Sequence, residues 1–489
     1  MELPGMVFTN LMLHEDTLIA TGIGITEPPQ SVQAVIFAKL DTNGNLLMHK
    51  VITDSLNGNF TPGKYPRGFL KTSDGSGYVL LSHVFERKNG VAIKIDNEGN
   101  TLWTREYEDE ESRQDAYRSI VETDNGFLIA GSKQDLDYSL NLFTMKTDKQ
   151  GQKVWENLYG DENNRWDSFE KIIVENENEF IISSSTGDEI GVPWQEWQNT
   201  VKIFAIDSLG NEKWSWESAP SLEELWIKGL QKTDDGHWAY ATARGEFEVD
   251  GYQKRQARFV IRDSSFDIVE ERLLDDLDIG YYNYLLNLIP VSSGGWLGVG
   301  GNFEWVADPV GAEAHVYGWT VRIDETGDTL WTRNDLAFPD TLPHASLQFL
   351  HSAVELPSGS LIAAGYYMPD GPGPNLGILV KVDRNGCMEV IDCHPVSTEE
   401  SVAGQGPLVT VYPNPAQSTI TIETANPLLS ENQWLLYDQL GNLVHVEILR
   451  PGLSLYELNL PATIADGMYY WHFHSTGPLN NGGKLLILR

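Results

Sequence analysis

Five basic side chains fall at matching places along the chain. Arg67, Arg118, Lys171, Lys228 and His351 each stand two residues before an apolar position that opens a strand-like run, in a column completed by Thr9 and Leu286. Lys and Arg number 34 and His 11 in 489 residues, so five in a column of seven is far above the background. Cations gathered in a ring can hold an anion, such as a carboxylate of an acidic sugar or peptide, through charge-assisted hydrogen bonds. The competing expectation is that each cation pairs with an acidic neighbour. A second set is aromatic: Trp166, Trp194, Trp197, Trp226, Tyr281, Tyr282 and Trp305, in segments read as loops, with Asp161, Glu162, Asp275, Asp276 and Asp278. Aromatic faces beside hydroxyl-binding groups suit a glycan or a peptide, although aromatic-rich loops also pack on their neighbours.

Signals of reaction chemistry are weak, and no catalytic residue is assigned. There is no nucleophile elbow and no His-Glu-x-x-His segment. A sugar-cleaving enzyme needs only two suitably spaced carboxylates, but 70 Asp and Glu residues leave no pair singled out. His472 and His474 share one face of a strand, which gives two metal ligands without a third. No cofactor and no metal site are expected. Calcium at acidic loops such as Asp275-Asp276-Leu277-Asp278 is the one alternative, without the EF-hand spacing.

The elements that position these residues come from a repeat. Asp-x-x-Gly-x-x-x-Trp occurs as Asp96, Gly99, Trp103; Asp148, Gly151, Trp155; Asp207, Gly210, Trp214; and Asp324, Gly327, Trp331. Weaker copies begin at Asp41 and Asp383, and Asp263 keeps only the aspartate, giving seven at intervals of roughly 52 to 61 residues. Alternating or apolar runs flank each copy, so Asp and Gly mark a hairpin turn. About 25 residues earlier lies a second hairpin signal, as in Asp124-Asn125-Gly126 and Asp234-Asp235-Gly236. Two hairpins give four strands per repeat. With almost no helical periodicity, the expectation is an all-β, seven-bladed β-propeller over residues 1–394, whose recurrent tryptophans pack between blades. First strands would then surround the central channel, and ligands would sit where second-to-third-strand and blade-to-blade connections gather.

Composition sets outer limits. Lys and Arg against Asp and Glu give 34 − 70 = −36, a field that repels phosphate backbones, so nucleic acid is excluded as a partner. No apolar run is long enough for a transmembrane segment, and Met1-Glu2-Leu3-Pro4-Gly5 does not read as a signal peptide. Cys387 and Cys393 are the two cysteines. Six extended residues span about 20 Å, well beyond the roughly 4.4 to 6.8 Å between bridged Cα atoms, so a disulfide requires Met388 to Asp392 to turn back. A local bridge is preferred over two unrelated thiols.

After a polar, turn-rich linker at residues 395–407, residues 408–489 read as a small Ig-like β-sandwich. Here Val411-Tyr412-Pro413-Asn414-Pro415-Ala416, Leu436-Tyr437-Asp438-Gln439-Leu440-Gly441, Gly467-Met468-Tyr469-Tyr470 and Lys484-Leu485-Leu486-Ile487 closely resemble the C-terminal sorting domain of type IX secretion substrates in Bacteroidetes. The resemblance implies Sec export with a signal peptide that this chain lacks, the type IX machinery as partner, and a secreted or surface-attached product. The terminal Leu488-Arg489 departs from the more familiar Lys or apolar ending. The repeats are similar to those often joined to such domains, and Asn385-Gly386-Cys387 with Cys393 resembles their closing segment, which implies a bridge in an oxidising compartment. The last blade then lacks an outer strand, to be supplied by Met1 to Val7 or by residues before Met1. The functional expectation is a non-catalytic binding protein for a glycan, peptide or surface partner, the alternative being a secreted carbohydrate-active hydrolase or lyase that uses loop carboxylates.

Overall fold

A computed structural model describes residues 3–4, 6–25, 33–53, 60–62, 68–84, 89–108, 112–135, 140–159, 165–189, 199–221, 223–247, 253–274, 280–308, 311–335, 347–368, 375–388, 409–424, 427–428, 432–437, 443–461, 463–474 and 481–488. The chain divides into two compact units, Met1–Arg384 and Asn385–Arg489.

In the first unit one carboxylate organises each repeat turn. Asp96 Oδ1 accepts from the backbone N–H groups of Glu98 and Asn100 at 2.9 and 2.7 Å, and Asp207 does the same with Leu209 and Asn211. The glycine that closes the turn takes a positive φ, 78° at Gly99 and 83° at Gly210, where a Cβ is disfavoured. These bonds favour the charged carboxylate. Asp96 and Asp207 are held below the usual carboxylate range, chiefly by the side-chain amides of Asn100 and Asn211.

With the turns fixed, the described strands of this unit follow one another as antiparallel groups, some joined by a parallel bridge such as Leu140↔Trp166; the fourth in chain order is Arg165–Asn176, Glu179–Glu189, Thr200–Ile206 and Glu212–Glu217, and the fifth is Lys228–Lys232, Trp238–Phe247, Gln253–Arg262 and Ile268–Leu273. The first is Met6–His14, Thr17–Ile25, Gln33–Asp41 and Leu46–Ile52. The last comprises Leu347–Glu355, Leu361–Met368 and Leu376–Val382, and its fourth strand is Leu3–Pro4, paired as Leu3↔Gly377 and Pro4↔Leu376. The start of the chain therefore completes the last group, as one of the two expected sources for it. The first strands touch their counterparts in neighbouring groups and so surround the middle of the unit.

Packing closes the order. Each apolar cluster joins two adjacent groups: Ile19 and Phe37 of the first meet Tyr78 and Ile93 of the second, and Phe8 and Ile36 of the first meet Leu356 and Ile362 of the last. A β-propeller results, with its core distributed between sheets. The recurrent tryptophans sit at these seams. A Cβ on Gly151 would lie 2.8 Å from the Trp103 ring, and one on Gly210 2.8 Å from the Trp155 ring.

The second unit is a sandwich. Val409–Tyr412, Thr419–Thr424 and Leu455–Asn459 form one sheet, and Leu443–Leu449, Asn432–Tyr437, Gly467–His474 and Asn481–Ile487 form the other. Ile420, Ile422, Trp434, Leu436, Leu485 and Ile487 are fully buried between them.

Candidate functional site

Strand register changes the basic column. In five groups the first strand carries a one-residue bulge directly after a buried apolar residue: Thr9 after Phe8, Arg118 after Tyr117, Glu170 after Phe169, Leu286 after Leu285, and His351 after Leu350. The fourth group therefore contributes Glu170 rather than Lys171. The sequence places Lys171 two before Ile173, but Ile172 is the buried residue, which moves the column to Glu170. Consecutive isoleucines left the sequence without the alternation that would have shown this.

An acid within the column alters its electrostatics. Lys228 and Glu170, both nearly buried, form an ion pair. Lys171 instead donates to the Leu230 carbonyl at 2.7 Å. Arg118 donates from Nη1 to Ser168 Oγ at 3.2 Å, and the His351 ring stacks on Tyr366 at 5.3 Å. Arg67 lies outside the described residues. The first strands thus carry separate cationic positions and one internal pair, not a uniform ring of charge.

The aromatic set also divides. Trp166, Tyr281, Tyr282 and Trp305 are strand residues, in Arg165–Asn176, Gly280–Pro290 and Trp296–Asp308, because these hairpins extend beyond the sequence signals for their ends. Trp305 pairs with Ala314 across the ladder. Trp226 does lie in a connection, between the fourth and fifth groups. Its ring meets Tyr284 edge-on at 6.2 Å, and the Arg255 guanidinium sits 5.0 Å above it. Its indole N–H is buried and has no hydrogen-bond acceptor among the described residues. Trp194, Trp197, Asp161, Glu162, Asp275, Asp276 and Asp278 fall outside the described residues, where the calcium alternative also lay. Among the described residues no cluster of three or more His, Cys, Asp or Glu is arranged to hold a metal.

The first and last motifs of the second unit meet at one edge. Asn414 Oδ1 accepts from the Leu486 N–H at 2.8 Å, Ala416 N–H donates to Leu486 O at 2.7 Å, and Leu488 N–H donates to Ala416 O at 2.8 Å. Tyr412-Pro413-Asn414-Pro415 is thereby fastened to the last strand, which contains Lys484. Tyr412 donates to Glu423 at 3.1 Å, and Tyr469, two residues after Gly467, donates to the Ala465 carbonyl at 2.9 Å. Asp438 and Gly441 lie outside the described residues. Cys387 is buried and disulfide-bonded, while Cys393, the other cysteine in the chain, lies outside them. No helix is long and apolar enough to cross a membrane among the described residues.

No curated protein matches the chain. Among solved structures it is similar to a polysaccharide lyase at 8% identity, covering 77% of this chain and 90% of that one with a TM-score of 0.44. It is also similar to an α-L-arabinanase of Penicillium chrysogenum at 12% identity, with 78% and 99% covered and a TM-score of 0.35. A Pseudomonas brassicacearum lignostilbene dioxygenase matches at 10% identity, with 69% and 74% covered and a TM-score of 0.39. Likenesses this distant assign no chemistry. The family model for the secretion system C-terminal sorting domain matches residues 410–487, the segment whose first and last motifs meet at Asn414 and Leu486. By that match the chain carries a type IX secretion sorting domain at its C-terminal end, a tail of proteins that are secreted or held at the outer surface.

Proposed function

We propose that the protein is an exported, non-catalytic propeller that binds a glycan, peptide or surface partner outside the cell, its C-terminal unit supplying the export signal. The sorting domain at residues 410–487 carries this reading, because it gives the adjoining propeller an extracellular setting. Two features support a ligand role for the propeller. Arg118 is a partly exposed cation in a first strand, and Trp226, beside Arg255, has no acceptor for its indole N–H among the described residues. Both favour an anionic ligand, such as an acidic sugar or the carboxylate of a peptide.

The test uses the full chain in gels containing alginate, polygalacturonate or hyaluronan. Retarded migration without new reducing ends or unsaturated products is expected, and Arg118→Ala should weaken retention about tenfold, the scale of one lost charge-assisted bond. Retention unchanged by Arg118→Ala removes the anion site. Turnover of any of these polymers would replace the binding reading with that of a carbohydrate-active enzyme.

A further inference from the structure

A cleft of about 500 Å³ opens between the fourth and fifth groups, lined by Trp214, Lys232, Gly236, Trp238, Ser264 and Phe266. That size falls within the roughly 300–1,000 Å³ of small-ligand sites. Its rim includes the turns around Gly236 and Phe266, which join first to second and third to fourth strands. It therefore lies at the end of the propeller opposite the connection that carries Trp226.

The cleft originates in one residue. At six corresponding turns the closing residue is a glycine with φ between 75° and 93°: Gly44, Gly99, Gly151, Gly210, Gly327 and Gly386. Where the preceding group supplies Trp103 or Trp155, that ring lies against the glycine. In the fifth group the residue is Phe266, at φ 66°, with the same turn bonds: Phe266 N–H to Asp263 O at 3.0 Å, and Ser265 and Asp267 N–H to Asp263 Oδ1. A side chain there denies Trp214 the seat that Trp103 and Trp155 take. Trp214 stands 5.8 Å from the Phe266 ring at a 46° tilt, and the cleft opens beside it.

A buried network braces this disfavoured conformation. Arg262 Nη1 donates to the Phe266 carbonyl at 2.7 Å, Nη2 to both Glu224 oxygens at 2.9 Å, and Nε to the Tyr240 hydroxyl at 2.7 Å. Glu224, Arg262 and Tyr240 are all buried. Phe266 also lies parallel to Trp216 at 4.9 Å and to Trp238 at 6.1 Å. Strain held at a half-exposed aromatic by buried polar groups is characteristic of a working site.

The lining selects the ligand. Lys232 lies over Trp238 and is already paired with Glu175, so the cleft offers no spare positive charge from that side chain. Glu179, which accepts from the Trp214 indole at 3.2 Å, is likewise paired with Lys213 at 2.6 Å, so neither ion pair leaves charge to spare, and Asp234 and Asp235 on the neighbouring turn disfavour an anion. What remains is flat aromatic surface with an exposed serine at its edge. We propose that this cleft binds a neutral saccharide, one sugar ring stacked on the part-exposed Trp214 and bounded by the edge of Phe266, with its hydroxyls at Ser264 and the Gly236 backbone. The site is separate from the anion site proposed above.

Affinity electrophoresis of the full chain in hydroxyethylcellulose, xylan, galactomannan and laminarin tests it, with Phe266→Gly, Trp214→Ala and Arg118→Ala. Phe266→Gly restores the residue of the other six turns and so keeps the fold, which a thermal melt verifies. Retention by at least one polymer, weakened tenfold or more by Phe266→Gly and by Trp214→Ala but not by Arg118→Ala, is expected. No retention by any of the four, or retention within twofold of wild type in folded Phe266→Gly, overturns the proposal. Failure here leaves the acidic-polymer result untouched, so the two sites are judged separately.

Discussion

Glu170 and Lys228 show how much one residue of register decides. Both occupy the column that sequence reading assigned to cations, and they satisfy each other in a nearly buried position. Removing one partner of a buried pair leaves an uncompensated charge, which costs far more than the pair contributes. Lys228→Ala is therefore expected to lower stability by about 3–5 kcal/mol in urea unfolding, and Lys228→Met with Glu170→Leu to recover most of it. Equal losses in the single and double variants would mean that the pair does not act as a unit. Phe266 gives the converse lesson. At Asp263 the repeat signal reads as merely degraded in sequence, whereas the structure keeps the bonds from the turn's backbone N–H groups while Phe266 replaces the closing glycine and Asp267 the amide side chain.

Among elements, the strand Leu3–Pro4 has a role out of proportion to its length. It pairs with Leu376–Val382 and caps an edge that would otherwise present unpaired backbone groups. Deleting residues 1–5 is expected to lower stability by about 1–2 kcal/mol, from two lost ladder positions, and to promote association visible by size-exclusion chromatography. A monomer of unchanged stability would show that this strand does not close the propeller. The hairpins were legible in the sequence because a turn requiring an aspartate acceptor and a positive-φ glycine leaves a residue-level mark, as at Asp96 and Gly99. The first strands were less so. Their bulges carry no residue signature, and Ile172-Ile173 hid the phase of the fourth. Strand ends were also obscure at Trp166, Tyr282 and Trp305, since ladders continue through polar and aromatic residues alike. The cleft at Phe266 was hidden altogether, because it depends on where Trp214 fails to seat.

At the scale of the whole molecule, the chain couples a distributed-core propeller to a sandwich built around its own cluster of buried residues. The sorting motifs were legible because they are contiguous and ordered, and their meeting at Asn414 and Leu486 explains why segments some 70 residues apart belong to one signal. On the proposed function, this unit takes the propeller out of the cell. Fractionation of a type IX-competent strain producing the Sec-targeted full chain, and a version lacking residues 408–489, tests it most directly. The propeller is expected in the medium or on the outer surface for the full chain, and in the periplasm for the shortened one. The same location for both would contradict it.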